Sequence, residues 1–408
     1  MKTPLLSLLA LFVLVFVSSC QDDDDQIMGT TELMVPDTYE FTRDGESTVS
    51  FGGQTTRIAM AEELVDAMLE PSTSLDQLNN LFRNPEGVDP FSDPELNEST
   101  KSVRSKVAAS NDLFSTDAVR SAEIKADFDG WIEAQSVAVF PNWNELAVAG
   151  QAGQIAEGST PRYINSWGLE YDQAVGKGLI GALMLDQINN NYLSSAVLDA
   201  GTARADNDAG ITETDKPYTY MEHRWDEAFG YLFGASASPA TPLDDLISAD
   251  NFMNKYLGRM ENDADYAGIA ADIEEAFRTG RQAIVEGDYA ARDQAALIIK
   301  ENLEKVIAVR IVFYLKQAEL NYLSQPAQLG AAFHDLSECY GFIYSLRFFQ
   351  TRGSDAVIDY YPISESYLER LRNASGNGFW DISTDELATM AQEIADLTGI
   401  SVEEAGSN

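Results

Sequence analysis

After Phe51 almost no segment of this chain alternates apolar and polar residues; its apolar positions recur three and four apart. A half-buried strand needs alternation, whereas an amphipathic helix needs the three-four spacing. The expected fold is therefore all-α, a large helical bundle. "TTRIAMAEELVDAMLEP" opens on a capping Thr and stops at Pro71. "SLDQLNNLF", "TDAVRSAEIKADFDGWIEAQSVA", "EYDQAVGKGLIGALMLDQINNNYL", "NFMNKYLGRM" and "YAGIAADIEEAFRTGRQAIVEG" continue the series. A long helix over Tyr289 to Tyr322 and "TDELATMAQEIADL" complete it, with a polar loop from Asn84 to Thr100. One stretch before Phe51 does alternate. "YEFTRDGESTVSF" turns at Asp44-Gly45 and predicts a small N-terminal β-hairpin, with Tyr39 and Phe41 opposite Val49 and Phe51. The glycine-rich connector 149–168 lacks the Gly-Lys-Ser/Thr of a phosphate loop and reads as a lining or covering loop. "DNDAGITETD" gathers Asp206, Asp208, Glu213 and Asp215 without the ligand ladder of a calcium loop, and reads as a solvated turn.

The first residues, "MKTPLLSLLALFVLVFVSSC", carry one lysine and an apolar run too short to span a bilayer. Residues 1–19 read as a secretion signal, and the small residues before Cys20 resemble a bacterial lipobox, with Cys20 the lipidated N-terminus. The acyl chains would then supply the membrane anchor. Residues 20–36 form an acidic tether, "QDDDDQ" at its head; Gln21 departs from the inner-membrane retention signal, and the Asp run resembles a surface-export tag. The expected address is the outer membrane, surface-exposed, with a periplasm-facing leaflet as the alternative. With Cys20 lipidated, Cys339 has no partner in the chain and is expected to be buried.

Residues 37–408 are long enough for one large core or two modest ones. Against 66 acidic residues stand 27 basic ones, a formal charge of −39. Such a chain is not expected to bind nucleic acid, whose phosphates need cations. Divalent cations or a basic partner fit its charge better.

The only two histidines sit in one repeated pattern. At about 100° per residue, Thr219, His223, Glu227, Gly230 and Gly234 share one helix face. Gly330, His334, Glu338, Gly341 and Ser345 repeat that stripe 111 residues later, which reads as a trace of internal duplication into two pseudo-repeated halves. The flanking residues are apolar or aromatic, so both helices should be buried, with the glycines admitting a close neighbour. A Glu so placed must be paired or coordinated. Two readings stay open. Each His could bond its own Glu one turn away as a structural pair. Alternatively His223, Glu227, His334 and Glu338 could face each other as a zinc or iron site, Asp226 and Glu222 assisting from further round the helix.

"GSTPRYINSWGLEYDQAVGKGLIGALMLDQINNNYL", "EHRWDEAFGYLFG", "NKYLGR", "AFRTGRQAIVEGDYAARD" and "HDLSECYGFIYSLRF" resemble a bacterial lipoprotein family catalogued as domain of unknown function 4856. That family looks allied to the imelysin-like proteins. The alliance implies an all-helical, duplicated fold tied to iron or haem uptake, beside an outer-membrane receptor or another uptake lipoprotein. Imelysin-like chains carry Gly-x-His-x-x-Glu; here Asp226 stands third after His223, Glu227 follows it, and Met221 replaces the glycine. Only His223, with Asp226 or Glu227, maps onto that motif.

An enzyme is not expected. A three-His metal site is impossible with two histidines, and neither His-Glu-x-x-His nor the Gly-x-Ser-x-Gly elbow occurs. The expected function is a non-catalytic binding or accessory module. A structural or interaction lipoprotein is the alternative, and a metal-dependent hydrolase comes third.

Overall fold

The computed structural model describes residues 33–350 and 357–407; the signal segment, Cys20 and the acidic run lie outside them. Among the described residues the fold is predominantly helical, with two small antiparallel hairpins. Its longer helices are α1 (Gly52–Ala67), α2 (Leu75–Arg83), α3 (Ala118–Ala134), α4 (Tyr171–Leu179), α5 (Tyr220–Phe233), α6 (Met253–Glu261), α7 (Ile269–Glu286), α8 (Tyr289–Leu323), α9 (Leu329–Ser345), α10 (Tyr360–Arg372) and α11 (Thr384–Thr398). No described helix is long and apolar enough to cross a membrane.

Local chemistry sets the helix ends. Ser74 and Gln77 form a reciprocal capping box at α2, and Thr219 and Glu222 form another at α5. Gly287 and Gly399 end α7 and α11 with positive φ, a conformation that glycine adopts without a Cβ clash.

The first hairpin pairs β1 (Thr42–Arg43) with β2 (Glu46–Ser47) across Asp44-Gly45. Its register differs from the expected one. Thr42 faces Ser47, and the Thr48 amide donates to the Phe41 carbonyl at 2.9 Å, so Phe41 lies opposite Thr48 and not Val49. A two-residue turn at 44–45 fixes that count. The connector read as a loop holds a second hairpin, β3 (Gly153–Glu157) with β4 (Thr160–Ile164). Its strands alternate weakly because their exposed face carries few strong polar residues, while Gly158, at φ +59°, makes the turn. It does cover another element: a Cβ on Gly330 would meet the Ala156 carbonyl at 2.1 Å, so β3 lies against the start of α9.

The core is organised around α4 and its continuation through two π-turn stretches, Ile180–Leu185 and Ile188–Tyr192. Every residue from Ala174 to Asn190 is buried. On its sides pack α1, α3 and α9, and its last turns meet α5. The α9 contact is backbone-close. A Cβ on Gly341 would lie 2.5 Å from Lys177 Cβ and 2.9 Å from the Gly178 amide, and one on Gly181 would lie 2.4 Å from Ser345 Cβ. Helix α8 runs behind α9, with α7 and α11 on its flanks.

Candidate functional site

The first stripe lies on α5. His223 Nδ1 meets the Ser50 carbonyl at 3.1 Å, and its ring stacks on Tyr218 at 4.6 Å between centroids. Burial lowers its pKa and keeps the imidazole neutral. Glu227 turns elsewhere. It accepts from Gln54 Nε2 at 2.9 Å and pairs with the Arg224 guanidinium. Around it stand Lys106, whose ammonium lies 5.5 Å from the centre of the Tyr192 ring, and the fully buried Tyr231. Burial, then the Arg57 guanidinium, lowers the Lys106 pKa, with Glu227 pulling the other way.

The second stripe lies on α9. His334 Nδ1 bonds Glu170 Oε1 at 2.9 Å. Burial opposes the imidazolium, but the Glu170 carboxylate outweighs it and raises the pKa. Glu338 accepts from the Tyr256 hydroxyl at 2.8 Å and faces Lys177 Nζ at 3.3 Å. Burial alone would raise its carboxyl pKa; Lys177, then His334 and the tyrosine hydroxyls, bring it down to about 2. Arg259 Nη1 donates to the Tyr314 hydroxyl at 2.9 Å on the same side. Near it is Arg310, a fully buried guanidinium whose Nε and Nη2 make no hydrogen bond.

Neither histidine therefore bonds its own glutamate, and the structure replaces the expected intrahelical pairs with long-range ones. One turn of helix brings two side chains near each other, yet His223 takes the Ser50 carbonyl and His334 the Glu170 carboxylate from neighbouring elements. Nor do the four residues share a partner. Among the described residues, no group of three or more His, Cys, Asp or Glu side chains is arranged to hold a metal ion. A metal implied by the imelysin-like resemblance does not fit the donors as placed. Glu338 is held by an ammonium, Glu227 by a guanidinium, and the His334 nitrogen nearest a carboxylate is a proton donor to it.

Asp226 and Glu222 have a different task. Asp226 is fully buried and receives the Tyr39 hydroxyl at 2.8 Å, the Ser50 amide at 3.1 Å and Arg281 Nε at 3.0 Å. Burial lifts its pKa to about 6 despite Arg281. Glu222 accepts both Arg43 nitrogens at 2.9 Å, Arg281 Nη1 at 3.1 Å and the Thr219 amide at 2.7 Å. Arg281 also donates to Thr48 Oγ1 at 2.9 Å. These two carboxylates clamp the first hairpin onto α5 and α7.

Residues 36–401 match the family described as Domain of unknown function (DUF4856). The chain belongs to the DUF4856 family. Its match runs from the clamped hairpin through α11, so the domain contains both stripes and all the pairs above. No curated protein and no solved structure matches the chain.

Sequence reasoning missed Lys177, Glu170, Tyr256 and Arg281 as the partners that decide what the stripes do. Lys177 had a visible signal: it lies in a greasy helical run beside small residues, where a lone cation must find a buried anion. Cys339 is buried, with its thiol pKa pushed up by burial, as the unpaired-thiol argument expected.

Proposed function

We propose that this DUF4856 chain is a lipid-anchored, non-catalytic binding or interaction module at the outer membrane. One observation supports the non-catalytic part: on and beside the two histidine helices, Glu338, His334 and Asp226 are held in fixed pairs. Glu338 is kept ionised by Lys177, His334 is bound to Glu170, and Asp226 is saturated by three donors. A general base needs a free lone pair aimed at substrate, and a catalytic metal needs several donors around one point. The anchor follows from the lipobox-like sequence at Cys20, and the acidic composition favours a basic partner.

The test has two arms. Changing Cys20 to Ala should move the protein from the membrane fraction to the soluble one, and deleting Asp22 to Asp25 should reduce its removal by protease from whole cells. Continued membrane retention of the Cys20→Ala form overturns the anchor. In the second arm, protein purified without a chelating tag is analysed for metal beside His223→Ala and His334→Ala. Stoichiometric metal lost equally from both variants would replace this reading with a shared metal centre.

A further inference from the structure

On the face between α3 and the loop before it lies a cavity of about 510 Å³, bounded by Arg104, Ser110, Asn111, Ser121, Lys125 and Asn191, with Phe114 and Ala118 supplying apolar wall. That is within the size range of small-molecule sites. In a chain with 66 acidic against 27 basic residues, the charged side chains lining it are both cations. Arg104 shares Asp129 with Arg83, two guanidiniums on one carboxylate, so that cluster keeps a net positive charge. Lys125 makes no ion pair with a described residue; its ammonium donates to Ser121 Oγ at 3.0 Å.

The wall is built rather than incidental. Asp186, fully buried on the helix continuing α4, accepts the backbone amides of Ala109 and Ser110 at 3.0 and 3.1 Å and so fixes the loop. Its carboxylate also attracts Lys125 from behind. Ser121 Oγ donates to the Ala108 carbonyl at 2.6 Å, tying the same loop to α3. Ser110 is 1% exposed, and its hydroxyl lies against the Asp186 carboxylate, which it helps to hold below the value that burial alone would give. We infer that this cavity binds a small organic acid, its carboxylate or phosphate group received by Lys125 beside the net positive Arg104 cluster and its carbon frame by Phe114 and Ala118. The overall negative charge does not forbid this, because at physiological ionic strength charges beyond about 8 Å are screened while Lys125 would be in contact.

The inference rests on the binding-module reading and names the class of ligand; its test is independent of anchoring and of metal. Succinate and inorganic phosphate are titrated separately into the full chain in detergent micelles, followed calorimetrically. Saturable binding of either probe is expected, the one that binds telling carboxylate from phosphate. Lys125→Met should weaken it at least about tenfold, the loss of a charge-assisted contact. Ala118→Phe, at an exposed position on the cavity wall, should block it with the fold intact by circular dichroism. Lys216→Met, the same charge change at an exposed site away from the cavity, should leave it unaltered. No saturation by either probe up to about 20 mM, well past a millimolar Kd, overturns the inference. So does equal weakening by Lys216→Met, or binding undiminished in Ala118→Phe.

Discussion

Replacing Lys177 by Met removes the ammonium 3.3 Å from Glu338 while keeping most of the side chain's volume. Both groups are nearly buried, at 8% and 6% exposure, so water cannot take the place of the lost partner. Glu338 is held at about 2 against an ordinary 4.5. At about 1.4 kcal/mol per pH unit, that shift corresponds to roughly 3 kcal/mol of stabilisation of the ionised form. Breaking a buried pair from one side costs about 3–5 kcal/mol, so Lys177→Met should lose about 3 kcal/mol of unfolding free energy at neutral pH. Glu338→Gln in the same background keeps an acceptor for Tyr256 and removes the stranded charge. The double variant should therefore recover about half of that loss, a coupling of roughly 1.5 kcal/mol or more. Because the folded pKa of Glu338 is depressed, its contribution is present above about pH 4.5 and lost as pH falls toward 2. Urea unfolding followed by far-ultraviolet circular dichroism, at neutral pH and at a series of acid values, measures both effects. A coupling below about 0.5 kcal/mol, or the same acid slope in wild type and Lys177→Met, would refute the claim that this ammonium holds the carboxylate.

Gly341→Ala should cost about 1–3 kcal/mol in urea unfolding, since the new Cβ meets Lys177 Cβ and the Gly178 amide and the two helices must part. Arg281→Met takes from Asp226 its only cation among the described residues and leaves Glu222 to Arg43 alone. It should cost about 3–5 kcal/mol, with limited proteolysis cutting the hairpin region 36–51 before the rest of the chain. His334→Gln should flatten stability against pH. The His334–Glu170 pair raises the imidazole pKa, so its contribution is full below the ordinary 6.5 and vanishes as pH rises past the raised value. His223, lowered by burial, should show the opposite trend, and melting temperatures across that range separate the two.

The helical character of the fold was legible because spacing of apolar residues is a local property, and the caps at Ser74 and Thr219 are local too. That both helices pack into the core was legible for the same reason, although His223, Glu227 and His334 themselves are only half-buried. What the stripes touch was not. His223 reaches Ser50 across 173 positions and His334 reaches Glu170 across 164, and no periodicity within a helix encodes such partners. The result is that one repeated pattern holds a neutral imidazole in one copy and favours a charged one in the other. The β3–β4 hairpin was missed because glycine and mixed residues blur its alternation, although Gly158 after Glu157 is the kind of turn residue a hairpin needs.

The buried helix at the centre also bears on the order of assembly. Residues 171–192 are covered by α1 from early in the chain and by α9 from its last quarter, and the Asn189 and Asn190 amides donate to the carbonyls of Lys300 and Phe348, far downstream. Synthesis from the N-terminus therefore delivers the hub of the core long before one of its walls exists. Contacts that span so much sequence close slowly. If the proposed secretion signal acts, slow closure of these contacts favours export, because a narrow channel is open only to a polypeptide that has not yet collapsed into its final form.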